Sequence, residues 1–228
     1  MNNKGYTILE ALMVTFVIAI LATTSFYTFN KQKEKVNFNR SLSTIASMFK
    51  EARNAAITSK TAPNGQIPPE GYGVYIDQAT QKIIYFANFQ AGAGDEKKQY
   101  DDGAAGNGAD LIIEEHTLNS DTVLEHIMKN IDTQAEVTDE LTRLKTSTAK
   151  FNVKDVVMIF KPPLATTTMI TNNGTPLEIN KILLRLVQKE NQTVMDEATR
   201  RYITISKVGG FPTIKHPDPQ DISPATAP

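Results

Sequence analysis

The stretch Tyr6-Thr-Ile-Leu-Glu10-Ala-Leu-Met-Val-Thr-Phe-Val-Ile-Ala-Ile-Leu-Ala22-Thr-Thr-Ser-Phe-Tyr-Thr-Phe29 decides how this chain is read. Glu10 is its only charged residue, and neither glycine nor proline interrupts it. About 20 apolar residues in a helix cross a hydrocarbon core of roughly 30 Å, so the segment is long enough to span a bilayer. Ahead of it stands Met1-Asn-Asn-Lys4-Gly5, a short basic start that ends in glycine. A carboxylate within a membrane helix costs on the order of 2.5–3.5 kcal/mol on insertion scales. Glu10 therefore requires either a cationic partner or a position from which it snorkels to the headgroups.

The helical pattern continues beyond the span. Leu42, Ile45, Phe49, Ala52 and Ala56 recur at steps of three and four, with Arg40, Ser43, Lys50, Glu51 and Arg53 on the other faces. This is the signature of an amphipathic helix. With no glycine or proline from residue 6 to 60, the pattern predicts one helix from Tyr6 to Ser59, about 80 Å long at 1.5 Å per residue. Its first half is apolar all round, and its second half carries one stripe that must be covered.

Pro63, Asn64-Gly65 and Pro68-Pro69 end the helix, because proline lacks the amide donor and Asn-Gly suits turns. Strands follow. Tyr72 to Ile76 and Lys82 to Phe89 flank the turn-like Asp77-Gln-Ala-Thr80 and predict a hairpin. Leu111 to Leu118, Val156 to Phe160, Ile182 to Val187 and Arg201 to Ile205 share the same β-branched and aromatic composition. No helix alternates with them, so the expected class is α+β, a long helix packed on an antiparallel sheet. Val123, Leu124, Ile127, Met128 and Ile131 fit a helix by spacing, and a strand stays open as the alternative. Val137, Leu141 and Leu144 suggest a short helix before Phe151. The proline-rich end from Pro212 is expected to be extended and mobile.

Composition sets the bounds. With 228 residues, 40% hydrophobic, and a net charge of -1, the chain fits one membrane helix and one globular domain. Zero cysteines exclude thiolate metal sites, thiol nucleophiles and disulfides.

Gly5, Tyr6 and Glu10, set at the mouth of an apolar run, make this N-terminus resemble those of type IV prepilins and type II secretion pseudopilins. The resemblance implies cleavage between Gly5 and Tyr6 by a prepilin peptidase, N-methylation of Tyr6 and a role for Glu10 in assembly. The new α-amine, which ordinarily titrates near about 7.7–8.0, would be largely protonated at neutral pH and could meet the Glu10 carboxylate of a neighbouring subunit. Beyond the leader, the order of elements is similar to that of H-type minor pseudopilins and minor pilins. The matching pieces are Glu51-Ala-Arg53-Asn-Ala55-Ala56 near the helix end, Tyr72-Gly-Val-Tyr75, Val156 to Pro163, and Arg201 to Gly210; Asp121 to Lys150 reads as an insertion. Two features depart from many members: there is no C-terminal disulfide loop, and Tyr27 stands where many type IV pilins carry a helix-loosening proline.

On this basis residues 1–5 are a leader, 6–29 the transmembrane half of the helix, 30–60 its amphipathic half, 61–211 a β-rich domain and 212–228 a tail. The implied partners are a prepilin peptidase, other pilin or pseudopilin subunits, an inner-membrane assembly platform and the lipid bilayer. The implied location is the cytoplasmic membrane, crossed once with the domain outside the cytoplasm, and then a filament. One feature opposes this orientation. Lys31, Lys33, Lys35 and Arg40 follow the span with only Glu34 against them, and a positive-inside count would invert it.

Three other readings compete. A secretory signal peptide could be cleaved near Ala19-Ile-Leu-Ala22, although that leaves Glu10 unexplained. A signal-anchored surface domain would stand outside any filament. A DNA-binding minor pilin, with nucleic acid as partner, would use Lys181, Arg185, Lys189, Arg200, Arg201, Lys207 and Lys215, if they share one surface. Acidic residues Glu178, Glu190, Asp196, Glu197 and Asp218 interleave with them.

No enzyme signature stands out, whether nucleophile elbow, phosphate-cradling loop or paired carboxylates, and neither a cofactor nor a metal is expected. Ala91 to Asp110 is rich in Gly and Asp, and major pseudopilins do bind calcium in a loop. Its spacing is not that of an EF-hand, and a solvated loop is the default. His116, His126 and His216 lack metal-ligand spacing.

Overall fold

The computed structural model describes residues 8–89, 100, 110–119, 121–129, 152–163, 166–170, 179–190, 193–194, 200–207 and 212–215. Helix α1 runs unbroken over Ile8–Ile57. Its end is a Schellman closure: the Lys60 N–H donates to the Ala55 carbonyl at 2.9 Å and the Ser59 N–H to the Ala56 carbonyl at 3.2 Å. Ser59 sits in the left-handed region at φ 46°, a place usually taken by glycine. The Tyr72 hydroxyl then donates to the Lys60 carbonyl at 2.5 Å, fastening the first strand to the helix end.

The expected hairpin forms from β1 (Tyr72–Asp77) and β2 (Lys82–Ala87), antiparallel, with Tyr72 opposite Ala87. In its turn the Asp77 carboxylate accepts the Ala79 N–H and the Thr80 hydroxyl, the local closure that makes Asp a turn residue. Gly71, which precedes β1 at φ 95°, admits no side chain, because a Cβ there would lie 2.1 Å from the Phe160 carbonyl oxygen.

The other strands are β3 (Leu111–Thr117), β4 (Thr122–Lys129), β5 (Asn152–Val153), β6 (Asp155–Lys161), β7 (Thr166–Ile170), β8 (Lys181–Glu190), β9 (Thr193–Val194), β10 (Arg200–Ser206) and β11 (Pro212–Lys215). Among the described residues the single antiparallel sheet expected from sequence is two. One has the order β3-β2-β1-β6-β7, and the other β11-β10-β8-β4-β5 with β9 paired to β8. The class is α+β.

Both sheets turn one face to the lower half of α1. Phe38, Leu42, Ile45, Phe49, Ala52 and Ala56 share one core with Val74, Ile83 and Met158 of the first sheet and with Leu124, Leu184 and Ile203 of the second. Burying each large side chain contributes about 1.5–3 kcal/mol, so the domain holds the helix firmly. A smaller cluster of Ile84, Phe86, Val157, Ile159 and Ile170 occupies the opposite face of the first sheet, where Tyr100 stacks on Tyr75 at 4.8 Å.

Two glutamines sew the sheets together at the hairpin turn. The Gln81 amide donates to the Leu124 carbonyl at 3.0 Å and accepts the Leu124 N–H at 2.7 Å, so one side chain pairs with β4 as a strand would. Gln78 donates to the carbonyl of Glu125. This pairing sits at the bulge in β4 between Leu124 and His126.

The structure settles one expectation and corrects another. The undecided stretch at Val123 is a strand, and residues 122–129 lie within the second sheet between β8 and β5. The tail does not begin at Pro212. Residues 212–215 pair antiparallel with β10, Tyr202 opposite Lys215, and the ordered domain extends to 215. The short helix expected around Val137, Leu141 and Leu144 lies outside the described residues.

Candidate functional site

Ile8, Leu9, Leu12, Met13, Phe16 and Val17 are all exposed, as is every other residue of the helix up to Lys33. No side of this half meets the domain. It is one helix long and apolar enough to span a membrane. Its threonines do not spoil that surface. The hydroxyls of Thr15, Thr23, Thr24 and Thr28 donate back to the carbonyls of Leu12, Ala19, Leu21 and Thr24 at 2.7 to 2.9 Å. Each donor is thus satisfied within the helix, as a hydrocarbon environment demands.

Glu10 stands in the first turn of α1 and is exposed. Negative charge there is favoured by the helix macrodipole. Gly5 and Tyr6, the expected cleavage pair, lie outside the described residues. Glu10 therefore stands at the start of the apolar rod, on the side away from the domain.

By strand register Lys181, Arg185 and Arg200 lie on the face of the second sheet turned away from the helix-facing core. Arg185 is only 3% exposed, and its Nε lies 3.1 Å from the Glu125 carboxylate. Arg200 and Arg201 are successive strand residues and so point to opposite faces of the second sheet. Burial holds the Arg201 guanidinium below its ordinary pKa, and its Nη1 donates to the Arg200 carbonyl at 2.7 Å. The side chains of Lys189 and Lys215 lie outside the described residues.

The metal candidates fare similarly. Of the stretch Ala91 to Asp110 only Tyr100 and Asp110 are described. Asp110 is buried and accepts the Phe89 N–H at 3.3 Å. His116 sits on edge strand β3, where burial pushes its pKa down, Glu114 opposes that shift and Arg40 adds to it. His126 is in β4 opposite Arg185, and His216 is outside the described residues. Among the described residues no group of histidine and carboxylate side chains could hold a metal ion.

The back-bonded threonines and the glutamine stitches were not foreseen from the sequence. The first could have been, since Thr23, Thr24 and Thr28 each have a carbonyl within reach one turn earlier.

No family model matches the chain, and no curated protein or solved structure matches it.

Proposed function

We propose that the chain is a prepilin-like subunit, cut after Gly5, methylated on Tyr6 and packed through its N-terminal helix into a type IV pilus or a secretion pseudopilus, as a minor subunit. Its role is structural and not enzymatic. The observation that carries this reading is the division of α1. One half is apolar on every side and wholly exposed, while the other is clamped by two sheets. A subunit that waits in the bilayer and then exchanges lipid for neighbouring helices needs such a rod. The Lys4-Gly5-Tyr6 leader and Glu10 add the processing and pairing chemistry that a plain anchor does not need.

In this reading the domain faces away from the cytoplasm, and the subunit reaches the filament from the cytoplasmic membrane. Glu10 meets the protonated terminal amine of an adjacent subunit, so removing its charge affects polymerisation more than membrane insertion. The test is Glu10→Gln in cells that make the filament, scored for the subunit in sheared surface fibres and in membranes. The expected result is normal membrane content and loss from fibres. Normal fibre content would overturn the role given to Glu10, and absence of the unsubstituted chain from fibres would leave the anchored-domain alternative.

A further inference from the structure

The span is followed by a cluster of charge that the orientation proposed above does not explain. Lys31, Lys33 and Lys35 are exposed, Glu34 is the single acidic residue among them, and Phe26, Tyr27 and Phe29 are exposed just before. The Lys31 ammonium lies 4.6 Å from the centre of the Tyr27 ring, one turn earlier on the helix. From Glu10 to Lys31 the helix rises about 30 Å, the thickness of a hydrocarbon core. From Lys31 to Lys35 it rises about 6 Å, the depth of one headgroup layer. Lys31 and Lys35 lie on one side of the helix, and Lys33 on the other.

We propose that Phe26 to Lys35 is a binding collar for anionic phospholipid headgroups in the leaflet nearest the globular domain. This rests on the membrane reading given above. Tyr27 sits at the boundary of the hydrocarbon, where amphipathic rings are enriched, with the apolar rings of Phe26 and Phe29 beside it. The three ammonium groups above them meet phosphate from both sides of the rod. Cations on the exported side oppose the usual charge bias of insertion, and lipid phosphate is a ligand of the opposite charge at their depth. The collar also fixes the depth of the helix, holding Glu10 near the opposite face of the core.

The test uses the full chain reconstituted in phosphatidylcholine vesicles, with spin-labelled phosphatidylglycerol or spin-labelled phosphatidylcholine as probe. The measured quantity is the motionally restricted lipid fraction. Phosphatidylglycerol should be preferred about fivefold at low salt, and the preference should shrink at high salt. It should vanish in the combined variant Lys31→Gln, Lys33→Gln, Lys35→Gln and persist when the same three are replaced by arginine. Equal restriction of both lipids, or a preference that survives the glutamine variant, overturns the collar. Flotation of the same vesicles separates the two claims. A chain that floats without lipid preference refutes the collar alone, whereas a chain that fails to float refutes the membrane reading beneath it.

Discussion

The two halves of α1 have the same backbone and opposite surroundings. From Ile8 to Lys33 every side chain is exposed, and the surface is apolar on all sides up to Phe29. From Phe38 to Ala56 one stripe is buried against two sheets while Arg40, Lys50 and Glu51 remain in water. A helix in water is stabilised by burying one face, and a helix in lipid by satisfying every backbone and hydroxyl donor internally. The threonines of the upper half follow the second rule and the buried stripe of the lower half the first. The absence of glycine and proline lets one rigid rod serve both.

The comparison breaks most readily at Phe49, which is fully buried on the stripe. Phe49→Ala should cost about 3–5 kcal/mol of domain stability, read by denaturant unfolding of the detergent-solubilised chain. Phe16→Ala in the upper half should leave that midpoint where it is. Equal effects would mean that the halves are not energetically distinct. Next in size is Gln81→Ala. It strips the Leu124 N–H and carbonyl of their partner and should lower stability by about 1–3 kcal/mol, again with no effect on vesicle flotation.

A pH effect should also be confined to the lower half. Tyr85 is buried in the helix-facing core, and burial, aided by Tyr72, Glu51 and Glu114, raises its pKa well above the usual tyrosine value. The folded state therefore holds this proton more tightly than the unfolded chain. The associated stability is complete below the unfolded pKa of about 10 and is lost as pH rises above it. Unfolding midpoints measured from pH 9 to about 11 should fall in the native chain, and Tyr85→Phe should fall less. Smallest is Ser59→Gly at the helix end. It should stabilise the domain by about 1 kcal/mol, because glycine takes the left-handed conformation without the penalty that serine bears. A lower midpoint in that variant would show that the serine side chain contributes more than its backbone strain.

The lower half was readable because Leu42, Ile45, Phe49, Ala52 and Ala56 repeat at helical spacing, and all five are buried. The hairpin was readable from Asp77 and its flanking aromatic strands. Residues 122–129 were not, and the bulge explains why. An extra residue between Leu124 and His126 brings Leu124 and Ile127 to the same core face, so a strand shows a spacing of three and imitates a helix. The division into two sheets depends on strand pairings such as β1 with β6 and β4 with β8, which join residues far apart in sequence and leave no local pattern. Pro212 misled for a related reason. Proline is tolerated at the start of an edge strand, and β11 begins with one at the edge of its sheet. Of the candidate site, Glu10 and the apolar run were plain in the sequence. Among the basic residues near the C-terminus, the burial of Arg185 beside Glu125 could not be read from the sequence, because Glu125 reaches it only through the pairing of β4 with β8.

The most direct test of the account is the mass of the N-terminal peptide of the membrane-bound protein, isolated from cells that contain a prepilin peptidase. The account predicts a chain that begins at a methylated Tyr6. A chain that still carries Met1, or one that begins after Ala22, would contradict it.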